Sequence, residues 1–133
     1  MKKALTICII DDDEVYQFAI TRNIQAEQLA TKILQFSDGK EALNYLSANI
    51  GNNDAIPDLI FLDINMPIID GWQFLETYIQ LKPQIGKKIT LYMVSSSMDP
   101  IDTKRAKQIA EVSDYIIKPI TPEQLKAIVE ALS

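Results

Sequence analysis

The sequence predicts an α/β fold in which a doubly wound, five-stranded parallel sheet of strand order 2-1-3-4-5 has helices on both faces. Two observations lead to this prediction. Short apolar segments alternate five times with longer segments in which apolar residues recur at helical spacing. Strands that alternate with helices pair in parallel, and right-handed crossovers between them leave few arrangements, of which this order is the commonest for a small sheet.

Length and composition fit a single domain covering residues 1–133 and limit what it can do. The chain is 47% hydrophobic and 23% charged, as in ordinary globular domains. Because it has one cysteine, Cys8, and no histidine, a disulfide framework, histidine-ligated metals and histidine-dependent triads are excluded. A net charge of −5 argues against direct nucleic-acid binding, and no segment reaches the roughly 20 apolar residues that span a membrane. We therefore expect a cytoplasmic protein with Cys8 reduced in its core.

The first strand and helix follow from the first thirty residues. Leu5–Ile10 is a short apolar run, as expected of a strand buried on both faces. The segment from Glu14 to about Leu29 has helical spacing. Its predicted apolar face contains Val15, Phe18 and Ala19.

The second strand, second helix and third strand come next. Thr31–Phe36 has the composition of a strand, and Asp38 is placed to cap a helix with Glu41 at its third position. That helix is expected to end near Gly51. The third strand, Asp58–Leu62, is the most apolar of the five.

The third helix and fourth strand show the same alternation. A helix is predicted from about Asp70, with apolar residues at helical spacing: Trp72, Leu75, Tyr78 and Ile79. Ile89–Val94 is the fourth strand. A fourth, weakly amphipathic helix is predicted to start at Asp99-Pro100, where an N-cap is followed by proline at the first helical position.

The fifth strand and fifth helix complete the pattern. The strand is predicted as Asp114–Ile117, and Thr121 to Gln124 forms a capping box with proline at the first helical position. The final helix carries an apolar stripe that should face the core: Leu125, Ile128, Val129 and Leu132.

Acidic residues follow the first and third predicted strands. Asp11, Asp12 and Asp13 follow the first, and Asp63 follows the third. In the predicted order these strands are neighbours, so their carboxyl ends meet at the point where ligands bind such sheets. Because close carboxylates repel and their oxygens are hard ligands, the cluster favours a cation such as Mg²⁺. Asp13 is better explained as a helix cap, whereas nothing in the apolar run before Asp63 stabilises its charge.

The fourth and fifth strands add a hydroxyl group and a cation to the same edge. Ser95 ends the fourth strand, and Lys118 follows the fifth and precedes Pro119. A divalent metal ion and Lys118 would balance the charges of Asp11, Asp12 and Asp63. Read alone, Lys118 could equally be a solvated surface lysine.

Taken together, these motifs resemble the receiver domain of two-component response regulators, with its flavodoxin-like fold and chemotaxis-regulator order of strands. The resemblance runs from about Ala4 to Leu132. The segments that carry it occur in the family's order and spacing: Ile10-Asp11-Asp12, Leu62-Asp63-Ile64-Asn65-Met66-Pro67, Val94-Ser95-Ser96 and Tyr115-Ile116-Ile117-Lys118-Pro119.

The resemblance implies a phosphoacceptor and a Mg²⁺ site. Asp63 would accept the phosphoryl group and also ligate the metal ion. Asp12 would bind the ion directly and Asp11 through water, while Asn65 would supply its backbone carbonyl.

The resemblance also implies a switch. Ser95 would hydrogen-bond to the phosphoryl group and Lys118 would pair with it. Tyr115 would be the aromatic switch residue that turns inward when Ser95 moves. The peptide bond before Pro119 would be cis.

The function implied is that of a stand-alone receiver, although a receiver excised from a longer chain would have the same sequence. A sensor histidine kinase or phosphotransfer protein would be the donor, and an effector protein would recognise a changed surface over helix 4, strand 5 and helix 5. A phosphorylation-dependent homodimer is compatible with this function. The domain would act as a switch rather than an enzyme.

Two other functions compete with this one. A Mg²⁺-dependent phosphatase with an aspartyl nucleophile would need an acid two residues after Asp63, where Asn65 stands, and 133 residues leave no room for a cap domain. A receiver-like module that binds partners without phosphorylation would not need the complete set of acids, Ser95 and Lys118.

Overall fold

The computed structural model describes residues 5–132, so both ends of the predicted domain, residues 1–4 and 133, lie outside the described residues. Strands and helices alternate throughout. The strands are β1 (Thr6–Ile10), β2 (Lys32–Phe36), β3 (Leu59–Asp63), β4 (Thr90–Ser95) and β5 (Val112–Ile117). The helices are α1 (Glu14–Ala26), α2 (Gly39–Ala48), α3 (Gly71–Ile85), α4 (Pro100–Lys107) and α5 (Pro122–Leu132).

The five strands form one sheet in the order β2-β1-β3-β4-β5, and every pair is parallel. This confirms the predicted fold class. Every residue of β1 and of β3 is buried, which explains why their sequences are apolar except for Thr6 and Asp63. In the register between them, Ile10 is opposite Leu62, so Asp11 and Asp63 follow at the same edge of the sheet.

A separate apolar core lies on each face of the sheet, between the strands and the helices. One core lies under α2, α3 and α4 and includes Leu46, Phe74 and Tyr78, all of them almost inaccessible to solvent. The other lies under α1 and α5 and includes Ile24 and Leu125. Cys8 is a buried free thiol, and burial raises its pKa above the ordinary range. Successive residues of a strand point to opposite faces, so each strand of the doubly wound sheet contributes to both cores.

Side-chain caps begin the helices where the sequence predicts them. Asp13, Asp38 and Asp99 each accept a hydrogen bond from a backbone N–H in the first turn of the helix that follows. The capping box of α5 is present, since the Thr121 N–H donates to Gln124 Oε1 at 2.9 Å and the Gln124 N–H donates to Thr121 Oγ1 at 3.1 Å.

The prediction of which residues of α1 face the sheet is wrong. Val15 and Phe18 are 78% and 64% exposed, while Gln17, Ile20 and Ile24 are buried. The reason is tertiary. The Gln17 side-chain amide lies 3.1 Å from the carbonyl oxygens of Ile9, Asp11 and Phe36, so a polar residue faces the sheet and two apolar ones face away.

The region around α4 also differs from the prediction. β5 begins at Val112, two residues earlier than expected, and α4 has only eight residues. Ala106 is the single buried residue of α4. A second contact joins this helix to α3, because the Arg105 guanidinium lies 4.4 Å from the centre of the Trp72 ring. Trp72 itself is buried in the core, as predicted.

Among the described residues, no helix is both long and apolar enough to cross a bilayer.

Candidate functional site

Three carboxylates meet at the carboxyl ends of β1 and β3. Asp11 and Asp12 follow β1 directly, and Asp63 is the last residue of β3. One oxygen from each of the three lies within 4.8 Å of the others. Asp11 and Asp63 are 2% and 5% exposed, whereas Asp12 is exposed to solvent. The structure therefore brings together the three acids that the sequence singled out.

The Lys118 side chain reaches this cluster from the loop after β5. Its Nζ is 2.7 Å from Asp11 Oδ2 and 3.5 Å from Asp63 Oδ1. The backbone holds its position, because the Lys118 N–H donates to the Ser95 carbonyl at 2.9 Å. The Lys118–Pro119 peptide bond is cis, as predicted. Lys118 is thus a half-buried member of the cluster rather than a solvated surface lysine.

Burial and mutual repulsion disturb the ionisation of the cluster. Burial, and next the charge of Asp11, raise the pKa of Asp63 to about 6 despite the opposing attraction of Lys118. Burial also raises the pKa of Asp11, and it outweighs the hydrogen bond from Lys118. For Lys118, burial lowers the pKa, but the hydrogen bond and charge of Asp11 and the charge of Asp63 outweigh it, so the net pKa is raised.

The donor set fits a hard divalent cation. The three acids offer only oxygen atoms, which Mg²⁺ prefers, and among the described residues the ammonium of Lys118 alone pairs with them. Asn65 lies two residues after Asp63 in the exposed loop that leaves β3. The three carboxylates therefore suit a Mg²⁺ ion.

The loop between β4 and α4 is linked to this site through Ser95. Ser95 is completely buried, and its Oγ accepts a hydrogen bond of 3.1 Å from the Ser97 N–H. The Tyr115 hydroxyl, on β5, donates to the Ser97 carbonyl at 2.8 Å. The Ser97 hydroxyl donates in turn to Asp102 Oδ2, in the first turn of α4, at 3.1 Å. A continuous set of hydrogen bonds thus joins the edge of the site to Tyr115 and α4.

Removing the Tyr115 hydroxyl should loosen this link. Tyr115→Phe is expected to lower the free energy of unfolding by about 1 kcal/mol, because the hydroxyl makes a hydrogen bond at a half-buried position. Urea denaturation followed by circular dichroism measures the change. Tyr92→Phe is the matched control, since the Tyr92 hydroxyl has no hydrogen-bond partner in the described part of the chain. Equal losses for both variants would contradict the prediction.

Three residues contribute to the site besides those predicted as site residues. The Gln17 amide holds the backbone on either side of Asp11, as described above. Gly71, at the start of α3, lies so close to β3 that a Cβ would be 2.6 Å from the Asp63 carbonyl oxygen. Tyr16 places its ring against Lys118. The only available sequence signal was the Asp70-Gly71 pair after the third strand.

A five-stranded parallel sheet with a cluster of acids and one lysine at the carboxyl ends of its strands defines the receiver class of signalling domain. The family model for the response regulator receiver domain matches residues 7–130. The chain belongs to this family.

Individual relatives agree with this assignment. The probable methanogenesis regulatory protein FilR2 of Methanothrix harundinacea is 29% identical over 95% of this chain and 79% of its own length. The response regulator MprA of Mycolicibacterium vanbaalenii is 29% identical over 95% of this chain and 49% of its own length. The chain thus spans only about half of MprA.

A solved structure of a response regulator also agrees with the family assignment. The two-component response regulator from Cytophaga hutchinsonii superposes with a TM-score of 0.87 at 28% identity, over 98% of both chains. Receiver domains are signalling switches of two-component systems and generally not enzymes, and they bind Mg²⁺ at an acidic pocket. They interact with histidine kinases and downstream effectors.

Proposed function

We propose that this receiver domain accepts a phosphoryl group on Asp63 in a Mg²⁺-dependent reaction and thereby changes a partner-binding surface. The observation that carries the proposal is the position of the Asp63 carboxylate, buried at the end of β3 beside Asp11, Asp12 and the Lys118 ammonium. A buried carboxylate beside other carboxylates that can bind a metal ion, and beside a lysine held in place, is suited to attack a phosphorus atom. The metal ion and the lysine would then offset the negative charge of the phosphoryl group.

In the proposed transfer, an Asp63 carboxylate oxygen attacks the phosphorus of a phosphohistidine on another protein. A P–O bond to Asp63 forms as the P–N bond breaks, and the electron pair of that bond returns to the departing imidazole. Lys118, already 3.5 Å from Asp63, pairs with the incoming phosphoryl oxygens. The Ser95 hydroxyl turns from Ser97 to donate to the same group. Mg²⁺, held by Asp11, Asp12, Asp63 and the Asn65 carbonyl, would neutralise charge on the transferred group.

The proposed donor is a sensor histidine kinase or a phosphotransfer protein, because this chain contains no histidine of its own. The exposed side chains of Val15 and Phe18 support docking by a protein. They lie in the first turns of α1, directly after the acids, and give an apolar surface beside the site.

The proposed output surface comprises α4, β5 and α5. The hydrogen bonds that join Ser95, Ser97, Tyr115 and Asp102 provide a route from the site to this surface. Movement of Ser95 towards a phosphoryl group removes the acceptor of the Ser97 N–H, so the loop and Tyr115 must rearrange together. The rearranged surface would favour an effector protein or a second copy of the chain.

Intact mass spectrometry tests the proposal directly. The protein is incubated with Mg²⁺ and acetyl phosphate, a small acyl phosphate donor. We expect one added phosphoryl group on the wild-type protein and none on Asp63→Asn or in a sample containing a chelator.

The opposite results would each overturn a specific part of the proposal. An equal adduct on Asp63→Asn would exclude Asp63 as the acceptor. No adduct on the wild-type protein, together with no spectral change on adding a beryllium fluoride mimic, would favour a module that binds partners without phosphorylation. Continuous turnover of acyl phosphate at rates typical of enzymes would favour a phosphatase.

A further inference from the structure

The Lys118 ammonium has a third neighbour besides the two carboxylates. Its Nζ lies 4.5 Å from the centre of the Tyr16 ring. This distance is within the range in which a cation is attracted to the electron-rich face of an aromatic ring. Tyr16 is half-buried on α1, where it packs against the core cluster that α1 and α5 cover. The ring is therefore held by the fold rather than by Lys118.

The hydroxyl group of Tyr16 does not explain why a tyrosine stands there. That hydroxyl is buried and has no hydrogen-bond partner among residues 5–132. A buried hydroxyl without a partner costs stability. What the residue contributes at this position is the aromatic face that it turns to Lys118.

We propose that Tyr16 is a positioning residue for Lys118, and that its ring keeps the ammonium at the site during phosphoryl transfer; this rests on the proposed function. Lys118 is close to Asp11 at 2.7 Å and farther from Asp63 at 3.5 Å. To pair with a phosphoryl group on Asp63, the ammonium must weaken its contact with Asp11. The neutral ring attracts the ammonium without cancelling its charge, so it limits the positions that Lys118 samples while leaving the charge available to the phosphoryl group.

If this proposal is correct, an aliphatic side chain cannot replace the Tyr16 ring. Leucine would fill most of the space against the core but offers no π face, whereas phenylalanine keeps the face and removes only the unpaired hydroxyl. Tyr16→Phe should therefore behave like the wild-type protein and Tyr16→Leu should not. The pair separates the aromatic face from the hydroxyl and from simple packing.

The experiment measures the initial rate of phosphoryl adduct formation with acetyl phosphate and saturating Mg²⁺. We expect Tyr16→Leu to be about five- to tenfold slower than the wild-type protein and Tyr16→Phe to be within twofold of it. In a Lys118→Met background, Tyr16→Leu should cause no further loss. Tyr92→Leu is the matched control, because Tyr92 is also half-buried against the same core cluster but contacts no cation among the described residues.

Urea unfolding of the wild-type protein, Tyr16→Leu, Lys118→Met and the double variant makes the test independent of phosphorylation. If Tyr16 holds Lys118, the effects of Tyr16→Leu and Lys118→Met on the unfolding equilibrium constant are not additive, with about a fivefold coupling; Tyr92→Leu and Lys118→Met are additive. Coupling without any adduct on the wild-type protein would overturn the proposed function and keep the Tyr16 contact. Additive effects, or a Tyr16→Phe variant as slow as Tyr16→Leu, would overturn the positioning role.

Discussion

Lys118→Met should slow the formation of the Asp63 adduct by about 100-fold or more, equivalent to roughly 3 kcal/mol of transition-state stabilisation. Within the described part of the chain, Lys118 is the cationic side chain that forms ion pairs with Asp11 and Asp63. Methionine keeps a long unbranched stem and removes the charge. Without that charge, negative phosphoryl oxygens approach carboxylates that only a metal ion can offset.

The chain provides a matched control for the loss of a half-buried, ion-paired lysine charge. Lys87 pairs with Asp58 at 3.2 Å and donates to the carbonyls of Asn53 and Ile56, but it lies at the opposite end of the sheet. Lys87→Met should lower stability and leave the rate of adduct formation unchanged. Time-resolved intact mass spectrometry with acetyl phosphate measures both variants. A Lys118→Met protein that reacts as fast as the wild type would contradict the role given to Lys118.

Asp63→Asn should stabilise the metal-free protein at pH 7 by about 3 kcal/mol. Burial and the charge of Asp11 raise the pKa of Asp63 to about 6, from 3.8 for an unperturbed aspartate. This net increase already includes the attraction of Lys118, so the folded state disfavours the charged form. Asparagine has a similar shape and no charge, and it removes that penalty.

The sign of the pH dependence follows from proton binding. Between about pH 4 and pH 6, the folded state holds a proton on Asp63 that the unfolded state has released. The free energy of unfolding contributed by this group is therefore greatest below pH 4, falls as the pH rises, and reaches its minimum above pH 6. The advantage of Asp63→Asn should accordingly be small at pH 4 and full at pH 7.

Urea denaturation at a series of pH values, in the presence of a chelator, measures this difference. Asp54→Asn is the control, since Asp54 is an exposed carboxylate in the segment before β3, whereas Asp63 is the last residue of that strand. Added Mg²⁺ should stabilise the wild-type protein more than Asp63→Asn, because the ion offsets the same repulsion. A variant less stable than the wild type at pH 7 would show that the charge of Asp63 is favourable in the folded state.

The sequence was sufficient to predict the fold and the residues that form the acid cluster. Alternation of apolar runs with helical segments set the order of elements, and the parallel sheet then placed Asp11 and Asp63 side by side. The N-cap residues Asp13, Asp38 and Asp99 were also predictable, because a cap depends only on the few residues around it.

Contacts between distant segments could not be predicted in the same way. Gln17 is buried because its amide contacts three carbonyl groups, from β1, β2 and the residue after β1, and no local pattern encodes those groups. The apparent apolar face of Val15 and Phe18 was misleading for that reason. Likewise, Tyr16 meets Lys118 only after the chain has formed the whole sheet. The early start of β5 was missed because no glycine marks the turn before it.

The contact of Arg105 with Trp72 makes the position of α4 measurable by fluorescence. Trp72 is the only tryptophan in the chain, and a cationic group 4.4 Å from the ring perturbs its emission. Because Ala106 is the single buried residue of α4, this helix can shift at little cost to the core. Trp72 fluorescence thus reports on the contact between α3, which is well anchored in the core, and α4, which is loosely anchored.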